Sequence, residues 1–567
     1  MKTNKRKRED NLKGVSLIVL VITIIIIMIL STTVILTIAS NNPIEEANKA
    51  RYEMDVDSMQ ALFTNTVAKV MVKNRSNVKI TSGVINSVSS DAKETIGEVI
   101  YTISDSILLE NMTGTIVFDK GENTDTVFYT GKKLPVYSAG NTKWYVDSEG
   151  TISLEIAGVK YGDGRTLNEE LSEAKGVNVP ILPSGATAIK WNASYDEVLT
   201  TEDDIEWFEY VEQTSSTTNG GTSHWANCKM EDGSYFVWIP RYAYKIDSTN
   251  QTIDVKFTKY ESGKDVAYDG SNLDGYTVHP VFTNNVAAGG WDRELTGIWV
   301  AKYEACEPNS NGQTGDMAVS SSISGKKLPI FKPNRRTYVS VTPGQAYQLS
   351  KEYNLALNSH MMKNSEWGAV AYLAHSQYGR NGTKITINNS WGIISGNAAN
   401  SSTDTGTVNT VRNAYNTAAG TLASTTGNIY GIYDMNGGSW EIVASYISNG
   451  HENLINNAAQ MINDGKPGVS NKYKTVYSYN STSDTFEDNY NLAENKSRKG
   501  EAIWETSTAG INYASWYGVF SYFLKDNEPI AKRGGCLVNH NSTNIFAFAS
   551  FNGVADTYHA FRVVLVN

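Results

Sequence analysis

The chain has 567 residues, a length that predicts two to four domains, and its apolar content of 40% allows large cores. The formal net charge is −10; residues 1–13 hold six Lys/Arg and two Asp/Glu, so the remainder carries −14. An acidic body argues against binding of nucleic acid by phosphate neutralisation. The three cysteines, Cys228, Cys306 and Cys536, contain no CxxC pair, which excludes a zinc ribbon or a thioredoxin-like site; they can form one disulfide or stay unpaired.

The N-terminal region has the pattern of a membrane anchor. Residues 15–40 contain no charged side chain, and about 20 apolar residues cross a bilayer as a helix. The preceding residues 1–14 form a basic leader, which predicts a cytoplasmic N-terminus and an extracellular body. A cleaved signal peptide is disfavoured, because the apolar run is long and no small-residue cleavage site follows promptly.

The junction of leader and apolar run, "KGVSLIVLVI", resembles the processing motif of type IV prepilins. The resemblance implies cleavage between Gly14 and Val15, a single-pass location in a bacterial cell membrane, and other pilin-like subunits as partners. In that family the fifth mature residue is usually Glu, whereas this chain has Val19, which weakens the prediction of a filament. A plain signal anchor remains the alternative.

Two further segments separate the anchor from the C-terminal half. Residues 41–160 combine long amphipathic helical patterns with short alternating runs such as "GTIVFD" and "TVFYTG", which predicts a pilin-like stalk helix and a head with a small antiparallel sheet. Residues 161–230 are rich in Gly, Ser, Thr and Asn and predict a linker or an irregular segment.

Residues 231–567 predict an α+β domain with short strands and long loops. "GSYFVWIPRYAYKI" and "FRVVLV" have strand composition, and "MMKNSEWGAVAYLAHSQYG" has helical periodicity. The whole chain is therefore predicted as α+β, with an N-terminal transmembrane, pilin-like long helix and a small antiparallel head before this domain.

Four segments of this domain, in order, resemble the family of formylglycine-generating enzymes, also called sulfatase-modifying factors. They are "GIWVAKYEAC", "NSEWGAVAYLAHSQYG", "GNIYGIYDMNGGSWEIVAS" and "KRGGC" with "HAFRVVL". The resemblance covers about 60% of the chain, and it implies a C-type-lectin-like fold for residues 231–567.

The same resemblance argues against catalysis. The catalytic members carry two cysteines after Arg-Gly-Gly, and those positions correspond here to Asn539 and Asn544. An Asn amide is neither a thiolate nor a soft metal ligand, so an oxidase of the formylglycine-generating type is the disfavoured alternative. His540 and His559 have no carboxylate at a clear spacing.

The C-terminus also resembles the ligand-binding variable proteins of diversity-generating retroelements, through an Arg-Gly-Gly turn, an Asn/Ser-rich run and a Phe-Arg-Val-x-Leu finish. The resemblance implies that side chains after the turn face outward and select the ligand. These candidates are Val538, Asn539, His540, Asn541, Thr543, Asn544, Phe546, Phe548, Ser550, Asn552, Asp556, Tyr558 and His559. The implied scaffold consists of Arg533, Gly534, Gly535, Trp440, Glu441, Phe561 and Arg562.

The sequence-based function is thus a membrane-anchored, pilin-like cell-surface protein whose C-type-lectin-like domain binds an extracellular protein or glycan non-covalently, as in adhesion. A structural pilus or pseudopilus subunit is a further alternative. No cofactor is expected, although "DMNGG" from Asp434 carries oxygen donors that calcium accepts, short of a full ligand set.

Overall fold

The computed structural model describes five strands between residues 114 and 161 and most of residues 167–566. In the second range the gaps are 203, 205, 214–220, 391–392, 400–412, 484 and 509–511. The side chains of the five N-terminal strands and of residues 167–170, 540 and 541 are not described. The chain divides into two compact units, Met1–Thr166 and Leu167–Asn567. The predicted leader, the processing site at Gly14 and Val15, the apolar segment 15–40 and the stalk helix lie outside the described residues.

The first unit contains one five-stranded sheet. Its strands are β1 (Gly114–Asp119), β2 (Thr124–Tyr129), β3 (Thr142–Val146), β4 (Ile152–Ile156) and β5 (Val159–Tyr161). Their spatial order is β2-β1-β3-β4-β5. β1 pairs with β3 in parallel and the other neighbours are antiparallel, so the sheet is mixed and not antiparallel as predicted. The chain between β1 and β3 includes β2, which supplies the length that a parallel pair needs.

The second unit consists of short strands in several sheets. In chain order these are β6 (Ala186–Trp191), β7 (Glu197–Leu199), β8 (Asn227–Met230), β9 (Tyr235–Pro240), β10 (Tyr242–Asp247), β11 (Thr252–Glu261), β12 (Lys264–Ala267), β13 (Thr277–Val278), β14 (Gly297–Ala301), β15 (His360–Met361), β16 (Asn397–Ala398), β17 (Asn413–Ala414), β18 (Trp440–Ile447), β19 (Thr475–Tyr477), β20 (Ile530–Arg533), β21 (Phe548–Phe551), β22 (His559–Phe561) and β23 (Val563–Leu565).

The largest sheet is antiparallel and has the order β15-β23-β14-β9-β8-β6-β7. Every residue of β14 and β23 is buried, as in strands covered on both faces. Two other sheets have the orders β12-β11-β10-β13 and β19-β18-β20-β21, and β22 pairs with β18 in parallel. β16 and β17 form a two-stranded ribbon.

The described helices are short. They are α1 (Leu167–Lys175), α2 (Pro343–Tyr353), α3 (Asn364–His375), α4 (Glu452–Asn457), α5 (Ala459–Ile462), α6 (Phe486–Asn491) and α7 (Ala493–Lys496). α2 begins with a capping box between Thr342 and Gln345, followed by Pro343 at its first position, so its N-terminal backbone donors are satisfied locally. Every residue of α3 is buried, and it lies within the core that the sheets enclose.

The fold-class prediction is corrected by these elements. No helix among the described residues is long and apolar enough to cross a membrane. The longest, α3, has 12 residues and so measures ~18 Å, against a hydrocarbon core of ~30 Å. The described chain is rich in sheet, with short helices, and the predicted α+β chain with a long transmembrane helix is wrong for it.

The predicted localisation is corrected by the same finding. A single-pass protein of a bacterial cell membrane, with a cytoplasmic N-terminus and an extracellular body, requires a spanning helix. The described residues contain none of sufficient length and apolarity. Their apolar runs instead form short buried strands, of which β18 is an example.

The predicted boundary at residue 231 also differs from the structure. Residues 167–230, interpreted from sequence as part of a linker, contain α1 and strands β6, β7 and β8. β8 pairs with β9, so this segment belongs to the same sheet as the next domain. Trp207 and Trp225 are fully buried within it, together with Trp191 at 7% exposure. The polar residues between these aromatics concealed the core positions in the sequence.

Candidate ligand-binding face

The Arg-Gly-Gly turn is a buried support. Arg533 at the end of β20 has no exposed surface, and its guanidinium donates to the carbonyl oxygens of Glu501 and Ala502 at 2.8 and 3.0 Å. Burial lowers the pKa of Arg533 to about 10. Gly534 and Gly535 have φ values of 83° and 80°, which favour glycine. The two glycines therefore allow the chain to turn, and the hydrogen bonds of Arg533 attach this turn to the backbone of residues 501 and 502.

We expect Gly535→Ala to destabilise the second unit by about 2 kcal/mol. A Cβ at Gly535 would lie 2.4 Å from the side chain of Thr543, and the positive φ adds strain. Urea unfolding of the full chain measures the change. Gly382→Ala is the matched control, because Gly382 has φ 79° with nothing within 4 Å of its Cβ position. Equal losses in the two variants would show that the contact with Thr543 carries no cost.

The segment after the turn places the candidate ligand-binding residues in two groups. It forms a 3-10 helix, Leu537–Ser542, and then β21. Exposed or half-buried are Val538, Asn539, Asn552, Asp556 and Tyr558. Buried are Thr543, Asn544, Phe546, Phe548, Ser550 and His559. The run therefore does not present every side chain outward, because β21 lies within a sheet that is packed on the core.

The implied scaffold residues are buried and interconnected. Arg562 donates to both carboxylate oxygens of Glu441, at 2.6 and 3.0 Å, and both side chains are inaccessible. Phe561 has 0% and Trp440 5% exposure. β22, which follows the candidate segment, pairs with β18 in the same sheet. The ion pair between Arg562 and Glu441 therefore holds these two neighbouring strands together.

Asn539 and Asn544 occupy the positions of the cysteine pair in the catalytic family, and each accepts a hydrogen bond from a nearby backbone N–H group. Asn539 Oδ1 accepts hydrogen bonds from the N–H and thiol of Cys536 at 3.1 and 3.0 Å. Asn544 Oδ1 accepts from the N–H of Phe546 at 3.2 Å. Burial raises the pKa of Cys536 to about 11, so the thiol is protonated near neutral pH. These groups do not fit a copper site that requires two thiolates.

A patch of aromatic rings borders the candidate segment. It consists of Trp440, Phe486, Tyr513, Phe520 and Tyr522, and is called the aromatic face below. Tyr513 lies 5.0 Å from Phe520 and 5.8 Å from Tyr522, measured between ring centroids. The ring centroid of Tyr522 also lies 5.6 Å from that of Phe486, and the ring centroid of Phe520 lies 5.8 Å from that of Trp440.

The aromatic face is joined to the candidate segment by backbone hydrogen bonds. The N–H of Phe548 donates to Phe520 at 3.0 Å, and the N–H of Tyr522 donates back to Phe548 at 3.0 Å. The N–H of Phe520 donates to Ser542 at 3.2 Å. The segment that carries Phe520 and Tyr522 and the segment after the Arg-Gly-Gly turn are therefore direct neighbours in the fold.

The loop that presents the rings holds an unusual backbone conformation. Asn512, Tyr513 and Tyr517 have φ values of 68°, 64° and 67°. Bulky non-glycine residues adopt this region at a cost of about 1–3 kcal/mol each, and such strain concentrates at ligand-binding sites. Tyr513 is 44% exposed, so the strained backbone holds a large ring toward solvent.

A small surface recess includes Tyr517 in its lining, and Tyr517 packs against the same hydrophobic cluster as Phe520 and Tyr522. Its lining includes His375, Lys384, Tyr517, Asn544 and Phe546. The hydroxyl of Tyr517 lies 3.3 Å from His375 Nδ1. Burial lowers the pKa of His375 to about 4, so the imidazole is neutral near pH 7. The recess thus offers ring surface, a neutral imidazole, an amide and the amine of Lys384.

Metal binding finds no support among the described residues, where no group of three or more His, Cys, Asp or Glu side chains could hold an ion. The carboxylate of Asp434, the calcium candidate, is buried and accepts from the N–H of Gly396 and the amide of Asn388. Those bonds occupy oxygens that a calcium ion would need.

Sequence reasoning missed the aromatic face. Its signal is the run "NYASWYGVFSYF" at 512–523, in which six of twelve residues are aromatic. Trp516 and Phe523 point into the core at 0% and 2% exposure, whereas Tyr513 is exposed. Irregular turns separate these positions, so no simple period distinguishes the buried rings from the presented ones.

No protein-family model and no curated protein sequence matches the chain.

Proposed function

We propose that the second unit binds a glycan or a protein non-covalently through the aromatic face and the adjoining segment 537–542. The observation that carries this proposal is the strained loop that holds Tyr513, Phe520 and Tyr522 beside that segment. Aromatic side chains with a hydroxyl combine a large apolar surface with a polar edge and dominate many binding interfaces.

The resemblance to retroelement variable proteins supports the same location. It implies that ligand selection occurs after the Arg-Gly-Gly turn, and the aromatic face borders that turn. Polar partners are present at the rings: the hydroxyl of Tyr522 donates to Asn512 Oδ1 at 2.6 Å. Val538 is 42% exposed at the start of the segment. The surface offers rings, amides and hydroxyls, which favours contacts with sugar rings or a protein surface over ionic recognition.

We expect Tyr513→Ala and Tyr522→Ala each to weaken ligand binding at least tenfold, about 1.4 kcal/mol. The full chain is screened on an oligosaccharide array and by cross-linking to proteins, and the strongest hit is titrated by calorimetry. Tyr260→Ala is the matched control, because Tyr260 is 45% exposed and belongs to β11, outside the aromatic face. Thermal unfolding checks that each variant remains folded.

The proposal fails if both aromatic-face variants bind as tightly as the original chain while retaining its unfolding temperature. It also fails if Tyr260→Ala causes the same loss. A hit on the array identifies a glycan, and a cross-linked protein identifies the other ligand class.

A further inference from the structure

Lys532 occupies a distinctive position at the border of the aromatic face. It belongs to β20, directly before the Arg-Gly-Gly turn, and its side chain is half-buried. Its Nζ atom lies 4.8 Å from the ring centroid of Trp440 and 5.4 Å from that of Phe551. The amine is therefore enclosed by rings, yet the residue keeps some contact with solvent.

The nearest polar partner of Lys532 is an imidazole. Nζ lies 3.0 Å from Nε2 of His559, and Nδ1 of His559 lies 2.9 Å from Oδ2 of Asp556. Lys532 can donate to Nε2 only if that atom carries the lone pair, which places the imidazole proton on Nδ1, toward Asp556. The negative charge of Asp556, 2.9 Å from Nδ1 although outside hydrogen-bond geometry, favours this tautomer, in which His559 can accept a proton from the amine.

The surroundings make the amine easier to deprotonate than a free lysine. Burial lowers the pKa of Lys532, and the charges of Asp556 and Glu528 oppose that effect. Burial likewise lowers the pKa of His559. Glu528 also accepts a hydrogen bond from Ser550 at 2.8 Å. A nucleophile in contact with a base, which a third group orients, is the recurrent arrangement of covalent catalysis.

We propose that Lys532 is a reactive amine that captures an aldehyde or ketone carbonyl as an imine, with His559 as its proton acceptor and donor. Asp556 is a positioning residue that acts through His559. This step goes beyond non-covalent binding and adds a reversible covalent bond at the edge of the same surface. The ligand class is any molecule that presents a free carbonyl carbon, such as the open-chain end of a reducing sugar.

The step is balanced without an external redox partner. His559 Nε2 accepts a proton from the ammonium group, and the freed lone pair on Nζ forms a bond to the carbonyl carbon. The imidazolium returns that proton to the carbonyl oxygen. The imidazole then carries a second proton from nitrogen to the new hydroxyl, the C–O bond breaks, and water leaves. The product is the protonated imine of Lys532, which keeps the positive charge of the original ammonium group.

Imine formation fits the site better than acyl transfer. Acyl transfer needs backbone N–H groups aimed at a developing oxyanion. At this turn the N–H of Gly534 donates to Ala547, and that of Leu537 donates to Gly438. The N–H of Cys536 donates to Asn539. These donors are engaged, whereas imine formation requires chiefly a neutral amine and a proton shuttle.

The test is reductive labelling of the full chain with propionaldehyde and cyanoborohydride at pH 7, followed by peptide mass spectrometry. Lys532 is expected to react at least tenfold faster than Lys472. Lys472 is a matched control because its Nζ also lies over two rings, at 5.7 Å from Trp291 and 5.3 Å from Tyr473, but pairs with Asp292 at 2.8 Å.

Two variants separate chemistry from structure. His559→Gln should reduce the labelling rate of Lys532 about tenfold and leave that of Lys472 unchanged. Asp556→Asn should shift the pH profile of Lys532 labelling, and Asp556→Glu should restore it. Equal rates for Lys532 and Lys472 in the unmodified chain would overturn the proposal, as would an unchanged ratio in folded His559→Gln. The first comparison needs no variant, so it stands even if a substitution prevents folding.

The result is independent of the proposed binding function. Labelling of Lys532 is read with a small aldehyde, whereas binding through Tyr513 and Tyr522 is read with a glycan or protein. Loss of either property leaves the other measurable.

Discussion

Arg562→Met is expected to lower the free energy of unfolding by about 3–5 kcal/mol, because it leaves a buried carboxylate without its partner. The guanidinium of Arg562 contacts both oxygens of Glu441. It also donates to the carbonyl oxygens of Ala301 and Tyr433, at 2.7 and 2.9 Å. Methionine fills much of the same space and removes every one of these donors, so the loss reports polar pairing more than packing.

Denaturant titration of the full chain, followed by tryptophan fluorescence, measures this loss. Arg293→Met is the control, since Arg293 lies 3.9 Å from Asp292 with side chains 42% and 50% exposed. A surface pair of this kind is worth about 0–1 kcal/mol. A loss below about 1 kcal/mol for Arg562→Met would contradict the assignment of this ion pair as a central support.

Acidification below pH 6.5 is expected to destabilise the second unit through its buried histidines. Burial lowers the pKa of His279 to about 3 and that of His375 to about 4. The unfolded chain therefore binds protons on these groups between those values and pH 6.5, whereas the folded chain does not. Each histidine contributes full stability above pH 6.5 and loses up to ~1.4 kcal/mol per pH unit below it.

Comparison with His279→Asn isolates the part of the pH dependence of the unfolding free energy that comes from His279. His279 accepts a hydrogen bond from the N–H of Val281, and asparagine keeps an acceptor at this position without a titrating ring. Unfolding free energies of both proteins are measured from pH 7.5 to pH 4.5. The difference between them should shrink by about 2–3 kcal/mol on acidification. A difference that stays constant with pH would show that His279 does not titrate between these limits.

Buried carboxyl groups also change the stability of the chain with pH, so the effect of His279 has to be measured as a difference between the original chain and His279→Asn. Burial and the neighbouring charge of Glu441 raise the pKa of Glu304 well above its ordinary value, and burial raises the pKa of Asp434. Such groups stabilise the folded chain at low pH and lose that contribution as pH rises, which is opposite in sign to the histidines. The total pH profile therefore mixes both effects, whereas the variant difference reports one imidazole.

The family resemblance named positions beside the candidate segment that lie buried, although their role as a scaffold stays a prediction. Arg533, Gly535 and Arg562 were expected to form a scaffold, and they lie buried with specific partners. The resemblance supplied these positions, and two consecutive glycines are compatible with the tight turn that the chain makes there. The positive φ of Gly535 is a direct consequence of that turn.

The orientation of the following side chains could not be read in the same way. Thr543 and Asn544 are 1% exposed although the polar run around them predicted a presented surface. Their burial depends on Gly535, which packs against Thr543, and on the chain reversal that follows the 3-10 helix. Such contacts join residues that have no shared period, so composition alone could not separate them from exposed neighbours such as Val538.

The contact between His559 and Asp556 could not be predicted from the sequence either. The spacing of three residues carries no signal outside a helix, and these residues lie at the entrance to β22. Lys532 reaches the same imidazole from β20, 27 positions earlier in the chain. Sheet pairing through β18 brings the two strands together, and that pairing is a tertiary property.

The position of β23 has a consequence for the order in which the protein can be completed during synthesis. β23 lies between β14 and β15 in the seven-stranded sheet, although it follows both by more than 190 residues. β14 can already pair with β9 on its other side, but neither β14 nor β15 can acquire β23 as a partner until residues 563–565 have left the ribosome. The edges of β14 and β15 that face β23 therefore stay unpaired, and open to other chains, until translation reaches this strand.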